Sequence, residues 1–229
     1  MEMRSLFDAE EDRGEGEGLD LDLDLKSLPW EELIERMRGC ERCRLKGSRT
    51  QVVPGEGACP ADLVFIGEAP GEVEDHSGRP FVGRAGQLLD KILESVGLNR
   101  EEVYITNVVK CRPPLNREPE ADEIKACWPW LESQLHHLKP RIIVALGSVP
   151  AKALLKTKEG ITKLRGRFFK WRDGIEVFPM FHPSFLLRNP AKGKGSPKYL
   201  TWQDIQRVKE RLDELRRAEI DADAGGGAA

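Results

Sequence analysis

Residues 63–107, LVFIGEAPGEVEDHSGRPFVGRAGQLLDKILESVGLNREEVYITN, decide the fold. The opening LVFIG is an unbroken apolar run ending in glycine, which reads as a buried strand. A long Gly/Pro loop follows. AGQLLDKILESVGL then places Leu88, Leu89, Ile92, Leu93 and Val96 on one helical face, with Gly97 as its stop. VYITN (103–107) reads as a second strand. Strand, loop, helix and strand in that order make a parallel crossover unit.

The alternation continues outward. EADEIKACWPWLESQLHHL predicts a helix, RIIVALG (141–147) a strand, VPAKALL a short helix and IEVFPMF (175–181) a final strand. YLTWQDIQRVKERLDELRR closes the series, with Ile205, Val208, Leu212 and Leu215 at helical spacing and Thr201–Asp204 resembling a capping box. Upstream, PWEELIERMRGC reads as a short helix with Leu33, Ile34 and Met37 on one face, delivering Cys40 at its end. No internal repeat is present. The pattern predicts an α/β fold whose mostly parallel sheet is covered on both faces. Ligands of such sheets bind beyond the carboxyl ends of the strands. GEAPG, Thr106–Asn107 and HPSFLLRNP all follow strands, so one cleft is expected to gather them.

Charge divides the chain. Its 229 residues sum to -3, but residues 1–24 carry -8 and the last twelve carry -3, leaving +8 on residues 25–217. A basic body between two acidic tails suits a polyanion partner, although a mixed surface would also carry this charge. The expected organisation is a disordered acidic tail (1–27), one domain (28–217) and a flexible tail (218–229). Apolar runs are too short to cross a bilayer, and the acidic start lacks a secretory signal, so a cytoplasmic, membrane-free protein is expected.

Cys40 and Cys43 form a C-x2-C pair, and Cys111 and Cys127 lie fifteen residues apart. Together they offer four soft ligands, suited to zinc or to a [4Fe–4S] cluster. A redox pair, two disulfides or buried free thiols are the alternatives. The fifth cysteine, Cys59, reads as a spare thiol or small hydrophobe.

Within the expected cleft, GEAPG matches neither the dinucleotide fingerprint nor the P-loop. It reads as a plain turn or as a loop presenting backbone N–H groups. His182, directly after the last strand, can donate to a leaving group that gains negative charge, or satisfy a backbone carbonyl. Asn107 can read an imide edge, or cap a loop. Phe81 can stack on a planar base, or pack in the core. SFLLRNPAKGKGSPK sets leucines beside Arg188 and three lysines, the combination that holds a duplex open around an extruded base. Folding of those leucines onto the core is the alternative.

Together GEAPGEVED, GRPFVG, YITNVVKCRPP and HPSFLLR resemble the family 4 uracil-DNA glycosylases, over roughly residues 30–217. The resemblance implies a three-layer α/β/α sandwich around a four-stranded parallel sheet, with Cys40, Cys43, Cys111 and Cys127 holding a structural [4Fe–4S] cluster. It implies that Asn107 reads the uracil edge, Phe81 stacks on the base and His182 stabilises the uracil O2. Glu68, Ala69 and Gly71 would form the catalytic loop, with Glu74 a further catalytic carboxylate. Ser184, Leu186, Leu187 and Arg188 would meet DNA.

Relatives with GQDPYH place a water-activating aspartate where this chain has Ala69. Water activation here falls to Glu68, to a more distant carboxylate, or to neither. The family 5 signature GLAPG lacks Glu68. CRPPLNREPE contains no histidine, so no covalent uracil adduct is expected. The implied activity is monofunctional hydrolysis of uracil from single- and double-stranded DNA by a monomer, leaving an abasic site. A non-catalytic nucleic-acid-binding module and an electron-transfer protein are the rival classes.

Overall fold

In a computed structural model, residues 25–225 are described. Most of the expected acidic tail, residues 1–24, lies outside them, as do residues 226–229. Along the chain run α1 (Trp30–Arg38), β1 (Glu56–Gly57), β2 (Leu63–Gly67), α2 (Glu72–Ser77), α3 (Arg84–Glu94), β3 (Tyr104–Asn107) and α4 (Ala121–Leu138). Then come β4 (Ile142–Leu146), α5 (Ser148–Leu155), α6 (Ile161–Leu164), β5 (Phe169–Lys170), β6 (Glu176–Met180), α7 (Pro183–Arg188) and α8 (Pro197–Gly225).

Side chains of successive strand residues point to opposite faces, and this divides the core in two. Val64, Ile66, Ile143, Ala145 and Val177 pack with Leu33 and Met37 of α1 and with Trp130, Leu131 and Leu135 of α4. Leu63, Phe65, Ile142, Val144 and Phe178 pack on the other face with Leu89 and Leu93 of α3 and with Ile205, Val208 and Leu212 of α8. Both faces of each central strand are covered, which is why these segments are apolar without alternation.

The sheet has six strands in the order β1-β3-β2-β4-β6-β5. The inner strands are parallel, with Val64 opposite both Tyr104 and Ile143, and Ile143 opposite Val177. The outer two are antiparallel, β1 to β3 and β5 to β6. The expected four-stranded, wholly parallel sheet is thus corrected to a mixed sheet of six. The added strands have two residues each, too few to leave a period-two pattern. Glu56–Gly57 pairs through close backbone approach: a Cβ on Gly57, at φ +126°, would lie 1.8 Å from the Val103 carbonyl oxygen.

A second correction concerns the last helix. It begins at Pro197, so Thr201 and Asp204 lie inside it and form no capping box. Thr201 Oγ1 donates to the Pro197 carbonyl, and buried Asp204 accepts from Arg165. The helix runs to Gly225, into the segment expected to be a flexible tail.

Topology places the site. From β2 the chain crosses one face by α3 to β3, then returns across the other by α4 to β4, on the far side of β2. The strand order therefore switches between β2 and β4. A crevice opens at their carboxyl ends.

Candidate active site

A cavity of about 590 Å³ occupies that crevice. Glu68, Ala69, Pro70 and Gly71 from the loop after β2, Asn107 from the end of β3, Gly147 and Ser148 after β4, and His182 after β6 all line it. Glu74, Phe81, Ser184 and Arg188 complete the set expected from the sequence at this wall.

Asn107 is 1% exposed, and its Oδ1 has no hydrogen-bond partner. A buried, unpaired acceptor costs stability unless a ligand supplies the donor. Gly67 makes room for it: a Cβ there would lie 2.4 Å from Asn107 Oδ1 and 2.5 Å from Phe81 Cζ.

Phe81 is buried with φ at 50°, the left-handed region that a residue with a Cβ seldom adopts. Two contacts hold it there. Arg100 donates to the Pro80 and Phe81 carbonyls at 2.6 and 3.0 Å, and is itself fixed by Glu56 and Asp90. Gly86 lets the Phe81 carbonyl approach, since a Cβ there would sit 1.7 Å from its oxygen. The Phe81 ring lies 5.6 Å from the His182 imidazole.

His182 Nδ1 accepts from the Ser184 backbone N–H at 3.1 Å and lies 2.8 Å from Ser184 Oγ. Burial, aided by the Arg188 cation and opposed by Glu74, lowers its pKa to about 4. The ring is therefore neutral at pH 7. An accepting Nδ1 leaves the proton on Nε2. Gly147, at φ +101°, admits this side chain, because a Cβ would be 3.2 Å from that of His182.

The two carboxylates differ. Burial, with Glu118 adding like charge, raises the pKa of Glu68 to about 7. Such a group carries both forms near neutrality. Glu74 Oε1 instead accepts from the Val82 and Gly83 N–H groups at 2.9 and 2.8 Å, tying α2 to the start of α3. Its position holds the Phe81 loop.

α7 divides its residues. Ser184 and Arg188 face the cavity, and Leu187 is partly exposed, but Leu186 is only 1% exposed and packs inward. Leu186 therefore offers no surface to DNA. Sequence reasoning did not find Arg100 or Glu118, and marked Gly67 only as the opening glycine of GEAPG. Arg100 acts through carbonyl contacts that no motif marks. Glu118 stands fifty residues from its partner Glu68.

On the other side of β3, Cys111 and Cys127 are buried and Cys40 and Cys43 half-buried against one core. None of the five cysteines is in a disulfide, and Cys59 is exposed. Trp130 Nε1 donates to Cys40 Sγ at 3.1 Å, the Lys110 N–H to Cys127 Sγ at 3.3 Å, and Arg49 to Cys111 Sγ at 3.5 Å. Burial pushes the Cys111 and Cys127 thiols up to about 11 and about 12. They hold negative charge readily only beside bound cations. No group of three or more ligating side chains closes on a single ion among the described residues.

Comparison with known proteins agrees with this geometry. The family model "Uracil DNA glycosylase superfamily" matches residues 54–206. The chain is 43% identical to the type-4 uracil-DNA glycosylase of Sulfurisphaera tokodaii, over 86% of this chain and 90% of that protein. It is 46% identical to the type-4 enzymes of Saccharolobus solfataricus, over 79% and 85% of the two chains, and Thermotoga maritima, over 78% and 92%. This chain belongs to the family 4 uracil-DNA glycosylases.

Proposed function

We propose that this protein removes uracil from DNA by hydrolysing the N-glycosidic bond, leaving an abasic site. The observation that carries the reading is the unpartnered Oδ1 of buried Asn107 in a cavity walled by a strained phenylalanine and a neutral imidazole. Uracil presents an imide: N3–H donates, and O2 and O4 accept. Asn107 Oδ1 accepts N3–H, its amide donates to O4, and Phe81 stacks on the ring.

As the C–N bond lengthens, charge collects on the pyrimidine. The Nε2–H of His182 donates to O2 and stabilises that anion without a full positive charge of its own. Glu68 faces the sugar side, where its carboxylate stabilises the cationic sugar and orients water for attack at C1′. Glu74 holds the loop that carries Phe81. Gly71 and Ala69 leave the base room, while Ser184, Leu187 and Arg188 meet the DNA strand.

Cys40, Cys43, Cys111 and Cys127 would hold a [4Fe–4S] cluster, whose chemistry is structural: it ties the α1 segment to the loop after β3. The N–H donors on three of these sulfurs support that assignment. The same reading makes residues 28–217 the catalytic domain of a cytoplasmic monomer. No helix among the described residues is long and apolar enough to cross a membrane.

End-labelled DNA carrying one uracil, treated with protein and then hot alkali, tests the activity. Uracil-dependent breaks that appear only after alkali, and that fade with His182→Ala, are expected. Tight binding of uracil DNA without breaks would instead mark a binding module.

A further inference from the structure

Among the described residues four large apolar side chains stand exposed, and two of them, Val73 and Leu115, each precede a residue that lines the cavity, Glu74 and Asn116. Leu115 is 96% exposed. It lies in the loop 112–117, whose Pro113, Asn116 and Arg117 line the cavity that holds Asn107 and His182. A lone surface leucine ordinarily calls for no explanation. This one differs in how it is held.

Leu115 and Asn116 both have left-handed backbones, at φ 54° and 55°. That conformation is costly for residues bearing a Cβ, and two in succession persist only where the surroundings enforce them. The loop is braced at both ends. Pro113 and Pro114 fix the chain before Leu115. Arg112 Nε donates to Asn116 Oδ1 at 2.8 Å, and the Asn116 and Arg117 N–H groups close turns onto the Pro113 and Pro114 carbonyls. Arg117 forks onto buried Glu123 at 2.6 and 2.8 Å. Arg112 also reaches Glu72, 3.6 Å away, linking the loop to the helix that carries Val73. The backbone is thus rigid and strained, yet the side chain it presents touches almost nothing.

We propose that Leu115 is a wedge for duplex DNA, acting from a different part of the cavity rim than Leu187 and its neighbours. The inference rests on the reading of the cavity as a uracil site. A base drawn out of a duplex leaves a gap in the stack, and an aliphatic side chain that enters the gap delays the base's return. A wedge serves best when its conformation is set before DNA arrives, so that little freedom is lost on insertion. Single strands have no stack to hold open, and Leu115 is therefore a determinant of duplex activity alone.

Single-turnover excision by the full chain, by Leu115→Ala and by Leu115→Met tests this on a uracil duplex and on the same uracil strand alone. The alanine variant is expected to lose about tenfold on the duplex and stay within about twofold on the single strand, with methionine keeping most of the duplex rate. Unchanged duplex rates, or equal losses on both substrates, overturn the proposal. Retained single-strand activity also certifies the variant's fold. If the unaltered chain excises uracil from neither substrate, the functional reading fails, and anisotropy with abasic-site duplex decides the wedge separately. A loss of affinity from the unaltered chain to Leu115→Ala that is larger on that duplex than on fully paired DNA upholds it, and equal losses on both remove it.

Discussion

Asn107 and Phe81 meet across a missing side chain: the space that a Cβ on Gly67 would fill is shared by Asn107 Oδ1, at 2.4 Å, and Phe81 Cζ, at 2.5 Å. One glycine therefore sets the Asn107 amide and the Phe81 ring together. Gly67→Ala must displace at least one of them. Displacement of about 1 Å at such groups costs about 100-fold in kcat/KM, and overpacking costs about 1–3 kcal/mol of stability. Steady-state kinetics alongside thermal unfolding checks this; activity that merely tracks the folded fraction would refute it.

Glu68 carries a pH signature. Its pKa of about 7 comes first from burial and then from Glu118, so Glu118→Gln should lower it and move the acid limb of kcat/KM to lower pH. The linkage has the opposite slope to an ordinary ion-paired carboxylate. The folded chain holds this proton above the ordinary value of 4.5, so the stabilising contribution is present below pH 4.5 and is lost as pH rises through 7. Denaturant titrations of Glu68→Gln against the unaltered chain should show that slope vanish.

His182 is expected to stay a neutral Nε2–H tautomer down to about pH 5, because its pKa lies near 4. Nitrogen-15 spectra of the ring should show unprotonated Nδ1 across the neutral range. Its depressed pKa stabilises the fold above the ordinary 6.5, and that contribution is lost as pH falls through 4. Arg188→Ala removes a repelling cation and should raise the value.

Glu74 and Arg100 hold the Phe81 loop from two sides, one through N–H groups and the other through carbonyls. Glu74→Ala is expected to cost about 2 kcal/mol of stability, while Glu74→Gln, which keeps an acceptor, costs less. Arg100→Ala frees the strained Phe81 backbone and should lower kcat/KM about tenfold, mostly through KM. Comparable losses for Glu74→Gln and Glu74→Ala would show that charge, and not the two accepted hydrogen bonds, is what matters.

Metal analysis separates the two fillings that four cysteines allow. About four irons per chain are expected after anaerobic preparation, and Cys127→Ser should lose them. Trp130→Phe removes the N–H donor to Cys40 Sγ and should shift the reduction potential while leaving uracil excision intact. One zinc per chain would refute the iron assignment.

The central architecture was legible because LVFIG, YITN and IIVAL are buried on both faces and carry no polar alternation. Strand ends then placed Asn107, His182 and GEAPG in one crevice by topology alone. What stayed illegible depends on backbone contact. The edge strands are two residues long, and Arg100 acts on carbonyls that every residue possesses. Thr201 and Asp204 misled because their spacing suits a helix start, although the helix begins one turn earlier. Leu186 and Leu187 are adjacent in sequence, yet one is buried and the other partly exposed, a distinction that only the orientation of α7 supplies.

The two edge strands bear on how this protein behaves in a crowded cell. An exposed parallel edge would present a row of unpaired N–H and C=O groups to any other chain, which is how sheets recruit one another into aggregates. Glu56–Gly57 and Phe169–Lys170 close both margins of the parallel core with antiparallel pairs only two residues long. What remains outside is too short to template a further strand, and exposed Lys170 puts charge on one margin. An open sheet thereby gains much of the self-avoidance of a closed barrel, at the expense of only four residues.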